Sequence, residues 1–273
     1  MLRLAILGVA TFLSTAAALA QGGVPPELFN NTRRQAGDTI KACFDRTSLG
    51  RPFDQAVAEA IGDALFLEVT TIEGFGGFPV NGDGFLDELA LAMNNTCDIF
   101  MGVSVTSGNQ ISDAFSVTRP YATIPFVVAV ANPDWQSLAD IPKDQRLGTA
   151  LASLGELNYI NWQQQQPEAA RWRRLPYADP NLMATRVLDG TIAGMILWQP
   201  VLARLKSERA DASTLRVVNS SPVPATEVRV GALVSSRNNF LRSQVDQAID
   251  ALTADGTIDR LMAENGFEGR AGE

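Results

Sequence analysis

Trp198 and Gln199 close the run GTIAGMILWQP, residues 190–200. Met195, Ile196 and Leu197 before them have the pattern of a buried parallel strand, and Pro200 suits the first turn of a following helix. Ligands in open α/β sheets are met at the carboxyl ends of strands, so both side chains stand where a ligand could be handled. An indole packs and donates one hydrogen bond, a carboxamide donates and accepts, and neither is a nucleophile. Trp198 therefore reads either as a ligand contact or as packing between lobes.

The chain holds no histidine, which removes histidine-dependent triads and imidazole metal sites. No nucleophile elbow and no glycine-rich phosphate loop is present, so the sequence points to no catalytic residue, no cofactor and no metal. The carboxylates of GDGFLDE, residues 82–88, lack the regular oxygen ligands of a calcium loop and read as a helix start capped by Asp83. Cys43 and Cys97 are either a disulfide or two buried thiols. A formal net charge of −8 argues against nucleic acid and anionic membrane as partners. The Trp162 and Trp172 segment, NWQQQQPEAARWRR, reads as a solvated outer face.

The elements that must position these residues follow an exported N-terminus. MLRLAILGVATFLSTAAALA, residues 1–20, joins one positive charge to an apolar run and ends in Ala18-Leu19-Ala20. It reads as a cleaved signal for the periplasm or the exterior, the alternative being an uncleaved anchor. The remaining chain has no further apolar stretch long enough to span a bilayer. With 46% hydrophobic and 19% charged residues, its 273 residues can form two ordinary domains.

Strands and helices alternate from Asp38 onward, which calls for a parallel sheet covered on both faces. DTIKACFDR is a strand, and RPFDQAVAEAIGDAL a helix with Phe53, Val57, Ile61 and Leu65 at helical spacing. Phe44, Arg46 and Phe53 follow that first strand, where a ligand pocket is shaped, and Arg46 is a candidate anion contact. The rhythm breaks at Asn132-Pro133 and returns through a Ser/Pro segment, Asn219 to Ala225. The expected fold is therefore α/β with two lobes, the first discontinuous (38–130 and 222–273) and the second inserted (131–221). In the second lobe Ser153 and Glu156 have capping-box spacing, and Asp179-Pro180 opens another helix.

The chain from about Ile40 to Gly266 resembles the family 3 extracellular solute-binding proteins, two-lobed type II receptors serving ABC importers. LALAMNNTCDIFMGVSVT, FSVTRPYATIPFVVAV and ATRVLDGTIAGMILWQP carry the likeness. The resemblance implies a cleft lined by Thr106 and Tyr121 as well as Trp198 and Gln199, with a small ligand and a permease as partner. The amino-acid-binding members place an arginine three residues after that threonine and an aspartate at the end of the second-lobe strand. Here the positions hold Asn109 and Trp198, so both contacts a zwitterion needs are missing. KACFDRTSLGRPFD, CDIFMGV, TRPY and ILWQP together resemble the branch associated with quinoprotein methanol dehydrogenases. That likeness implies a non-catalytic periplasmic accessory of a pyrroloquinoline-quinone-dependent alcohol dehydrogenase, with Cys43 and Cys97 paired. An indole suits an apolar or aromatic ligand, or an inserted partner residue, better than a zwitterion.

Overall fold

The structure is a computed structural model that describes residues 37–45, 48–72, 84–105 and 112–273. Residues 1–20, read above as an export signal, and Arg46, Asp83, Thr106 and Asn109 lie outside these residues. The first lobe opens with β1 (Thr39–Cys43), α1 (Arg51–Leu65), β2 (Glu68–Ile72), α2 (Phe85–Asn95) and β3 (Ile99–Ser104). β4 (Phe115–Val117) leads into the long strand β5 (Ala122–Val130). β6 (Arg146–Ala150), α3 (Leu154–Gln164), β7 (Arg173–Tyr177), α4 (Pro180–Leu188), β8 (Gly194–Trp198), α5 (Gln199–Glu208) and β9 (Arg216–Val218) follow. β10 (Glu227–Ser235), α6 (Asn239–Ala254), α7 (Thr257–Glu264) and β11 (Arg270–Ala271) return to the first lobe.

The strand order is β2-β1-β3-β10-β5-β8-β6-β7, and β5 is where one lobe becomes the other. Its first half, Ala122 to Pro125, pairs antiparallel with β10. Its second half, Phe126 to Val130, pairs with β8. Pro125 sits at the change of partner, a place where a residue without an N–H costs the ladder least. The sequence break at Asn132-Pro133 thus follows the crossing, because the apolar strand runs unbroken through both lobes.

Alternation of side chains sorts the cores. Ile40 and Ala42 of β1, with Ile99 and Met101 of β3, join the core under α1, α6 and α7. Cys43 and Phe100 face the other way, toward Leu89 and Met93 of α2. In the second lobe Val127 and Ala129 enter one core and Val128 and Val130 the opposite one, so that sheet is covered on both faces as its apolar strands require. Cys43 and Cys97 form a disulfide, with Cα atoms 5.8 Å apart. β1 and β3 pair in parallel with Cys43 opposite Phe100, which brings Cys97 within bridging range.

Two local expectations change. Trp172 is fully buried, its Nε1 donating to the Ile141 carbonyl at 2.9 Å while its ring stacks on Trp162. The segment read as a solvated face is therefore core on its tryptophan side, because the polar residues around Trp172 hide the one position that turns inward. The cap of α2 is Gly84, in a left-handed conformation at φ 103°. At α4 the Asp179 carboxylate accepts from the Asn181 N–H and Pro180 fills the first turn, as the sequence suggests. Asp179→Ala should cost about 1 kcal/mol of stability in urea unfolding, the usual value of a lost N-cap. An unchanged midpoint would show that this cap contributes nothing.

Candidate functional site

The carboxyl ends of β3 from the first lobe and of β6 and β8 from the second face one another across a cavity of about 350 Å³. Gly102 and Ser104 of β3 with Val228 and Val230 of β10 form one side. Ala150 at the end of β6, Ser153 and Leu154 at the start of α3, and Phe126, Trp198 and Val201 form the other, the Phe126 ring lying against Gly155. Such an apolar concavity at strand ends is where an α/β fold receives a small ligand. Among the described residues no ionisable side chain lines it.

Trp198 is half-buried in this wall, and its buried indole N–H has no hydrogen-bond acceptor among the described residues. Gln199 turns away from the cavity. It is buried, and its Nε2 donates to the Gly266 carbonyl at 3.1 Å, tying α5 to the segment after α7. Phe44, Phe53 and Tyr121 are also buried, in the first-lobe core rather than on the cavity surface. Phe53 meets the rings of Tyr121 and Phe267 edge-on, at centroid distances of 5.9 and 5.5 Å. These aromatics reach the site only through what they hold in place.

What Tyr121 holds is the cavity floor. Its hydroxyl accepts from the Gly102 N–H at 2.9 Å and donates to Asp54 Oδ1 at 2.6 Å. Gly102 has φ 79°, and a Cβ added there would lie 2.5 Å from Asp54 Oδ2. Only glycine permits both that backbone and that approach. Burial pushes the Asp54 carboxyl from 3.8 up to about 7, the Tyr121 hydrogen bond partly opposing the rise. Burial also pushes the Tyr121 hydroxyl well above its ordinary range, and the neighbouring Asp54 charge adds to that. The sequence carried a signal for this carboxylate. Asp54, Val57, Ala58 and Ile61 share one buried helical face, and a charged residue at an inward position is a candidate for a special role.

Across the cavity Ser153 caps α3, its Oγ accepting from the Glu156 N–H at 3.1 Å. The returning bond differs from the expected box. Glu156 Oε2 accepts from the Ala152 N–H at 2.8 Å, while Oε1 accepts from Thr149 Oγ1 at 2.7 Å and pairs with Arg174. Thr149 and Arg174 compete for the carboxylate because β6 and β7 run side by side beneath the helix start. Neither partner is visible in the local spacing that suggested the box.

No protein-family model matches the chain, and no curated relative matches it. Solved structures do. The substrate-binding domain 2 of GlnP from Lactococcus lactis, in an open conformation, superposes with a TM-score of 0.64 at 17% identity, covering 85% of this chain and 97% of that one. A polar amino acid ABC uptake transporter substrate-binding protein from Streptococcus thermophilus gives a TM-score of 0.64 at 16% identity, covering 86% and 88%. The L-cystine solute receptor of Neisseria gonorrhoeae, unliganded and open, gives 0.61 at 21% identity, covering 83% and 92%. The fold is accordingly the two-lobed α/β architecture of the type II periplasmic binding proteins, with a discontinuous first lobe and an inserted second.

Proposed function

We propose that this chain is an exported, non-catalytic solute-binding protein whose cleft takes a small solute other than a simple amino acid and presents it to an ABC permease. The observation that carries the reading is the apolar cavity between opposed strand ends, with Trp198 in its wall. The structural neighbours support it, among them substrate-binding proteins of amino acid ABC transporters. In this reading residues 1–20 are removed on export to the periplasm, 38–130 with 222–273 form one lobe, and 131–221 form the other. Trp198 is the ligand contact, Phe44, Phe53 and Tyr121 support the floor, and Gln199 braces the wall. Thr106 remains a proposed contact outside the described residues, and Arg46, also outside them, is not needed as an anion contact in this reading.

A co-purified solute tests it. Native mass spectrometry of the protein taken from periplasm should show one bound small molecule, absent from Trp198→Ala. Occupancy equal in the two proteins would place the ligand elsewhere. A second reading, the accessory of a quinoprotein alcohol dehydrogenase active in methanol oxidation, is favoured by the Cys43–Cys97 bridge between the first and third strands, the pairing that the resemblance to that branch implies. Affinity capture from cells grown on an alcohol separates the two. A recovered dehydrogenase that is lost with Trp198→Ala supports the accessory role, whereas a bound solute with no dehydrogenase leaves the importer role standing.

A further inference from the structure

We propose that the cleft selects an uncharged, predominantly apolar molecule, and that Glu156 is the residue that keeps carboxylates out. The inference rests on the solute-binding reading above and names the ligand class of that same cavity.

The start of a helix ordinarily attracts anions, because its first N–H groups lack partners and the helix dipole is positive there. α3 presents its start, through Ser153 and Leu154, to the cavity. That positive end is already answered from within the chain. Ser153 Oγ takes the Glu156 N–H, and the Glu156 carboxylate takes the Ala152 N–H while pairing with Arg174. Glu156 is only 6% exposed, so its charge is held in place rather than dispersed into solvent. An incoming carboxylate would find the helix-start amides already taken and, beside them, a closed Glu156–Arg174 ion pair with no free positive group to offer.

The opposite side offers an anion no positive group either. Asp54 lies directly behind Gly102, its Oδ2 filling the space a side chain at Gly102 would occupy. Between these two carboxylates the wall is Phe126, Leu154, Trp198, Val201, Val228 and Val230. A cation would lose its hydration to reach that surface without finding an ionised partner on it, since among the described residues both acids sit behind the wall. A neutral molecule escapes both costs and gains apolar contact with the Trp198 ring and the surrounding aliphatic wall.

Three probes of one shape and different charge test this: benzyl alcohol, benzoate and benzylammonium, titrated into the full-length mature protein at pH 7.5 and followed by saturation-transfer NMR. Benzyl alcohol should bind at least about ten-fold more tightly than either ion, and Trp198→Ala should remove that binding. Glu156→Gln should leave benzyl alcohol unchanged and strengthen benzoate by about ten-fold or more, because it frees Arg174 from its ion pair. If either ion matches benzyl alcohol on the wild-type protein, the neutral-ligand inference is overturned while the cleft reading survives. A benzoate affinity unchanged in a folded Glu156→Gln protein overturns the role of Glu156. If none of the three binds, the cleft reading itself fails. The wild-type comparison requires no variant, so it decides the ligand class even if Glu156→Gln does not fold.

Discussion

Asp54→Asn should make the protein more stable than wild type at pH 8 and should remove a large part of its pH dependence. The carboxyl is raised in the folded state, from 3.8 to about 7, chiefly by burial. A group raised in this way contributes its full stability below the unfolded value, and that contribution is lost as pH rises through the folded value. The window is therefore roughly pH 4 to 7, and the rise corresponds to about 4 kcal/mol across it. Asparagine keeps an oxygen to accept from the Tyr121 hydroxyl, so the hydrogen bond that fixes Gly102 is retained while the charge is not. Urea unfolding of both proteins at pH 5 and pH 8 gives the double difference directly. If the two proteins respond to pH in parallel, Asp54 is not titrating in the folded state and the argument fails.

Replacing Cys43 and Cys97 together by serine should cost about 4 kcal/mol. The bridge spans a sequence separation of 54 residues, and closing a loop of that size in the unfolded chain accounts for the figure. Both cysteines are buried, so changing the pair avoids leaving one unmatched thiol in the core. The measured quantity is the urea midpoint of the double variant against wild type, with intact mass before and after reduction establishing that the wild-type bond was formed. A change below about 1 kcal/mol would mean that the pairing of β1 with β3 already restrains the unfolded chain as far as the disulfide does.

Much of the architecture is written in local patterns. Alternating apolar strands and helices specify a covered sheet, and Asp179-Pro180 and Ser153 mark helix starts through backbone chemistry that needs only neighbours in sequence. The cysteine pair is similar, since one residue ends a strand and the other comes just before its neighbour. Trp198 is legible as well, because a strand end followed by proline fixes its position in any sheet of this kind.

The sequence alone determined the buried face of α1, where α3 and α4 begin, and that an indole stands at a strand tip. It did not determine what covers that face. Phe53 and Tyr121 look like cleft residues from their order in the chain, yet the packing of α1 against β3, α6 and α7 encloses them and leaves Gly102 at the cavity surface. Tyr121 meets Asp54 across 67 residues, and Glu156 meets Arg174 across 18. Periodicity reports burial relative to one element's own axis and carries no information about such distant partners. Tertiary structure decided that β5 changes partner at Pro125, that Glu156 answers its own helix, and that an apolar wall stands between two hidden carboxylates. Those outcomes depend on where non-adjacent strands and helices come to rest, which only the packed chain fixes.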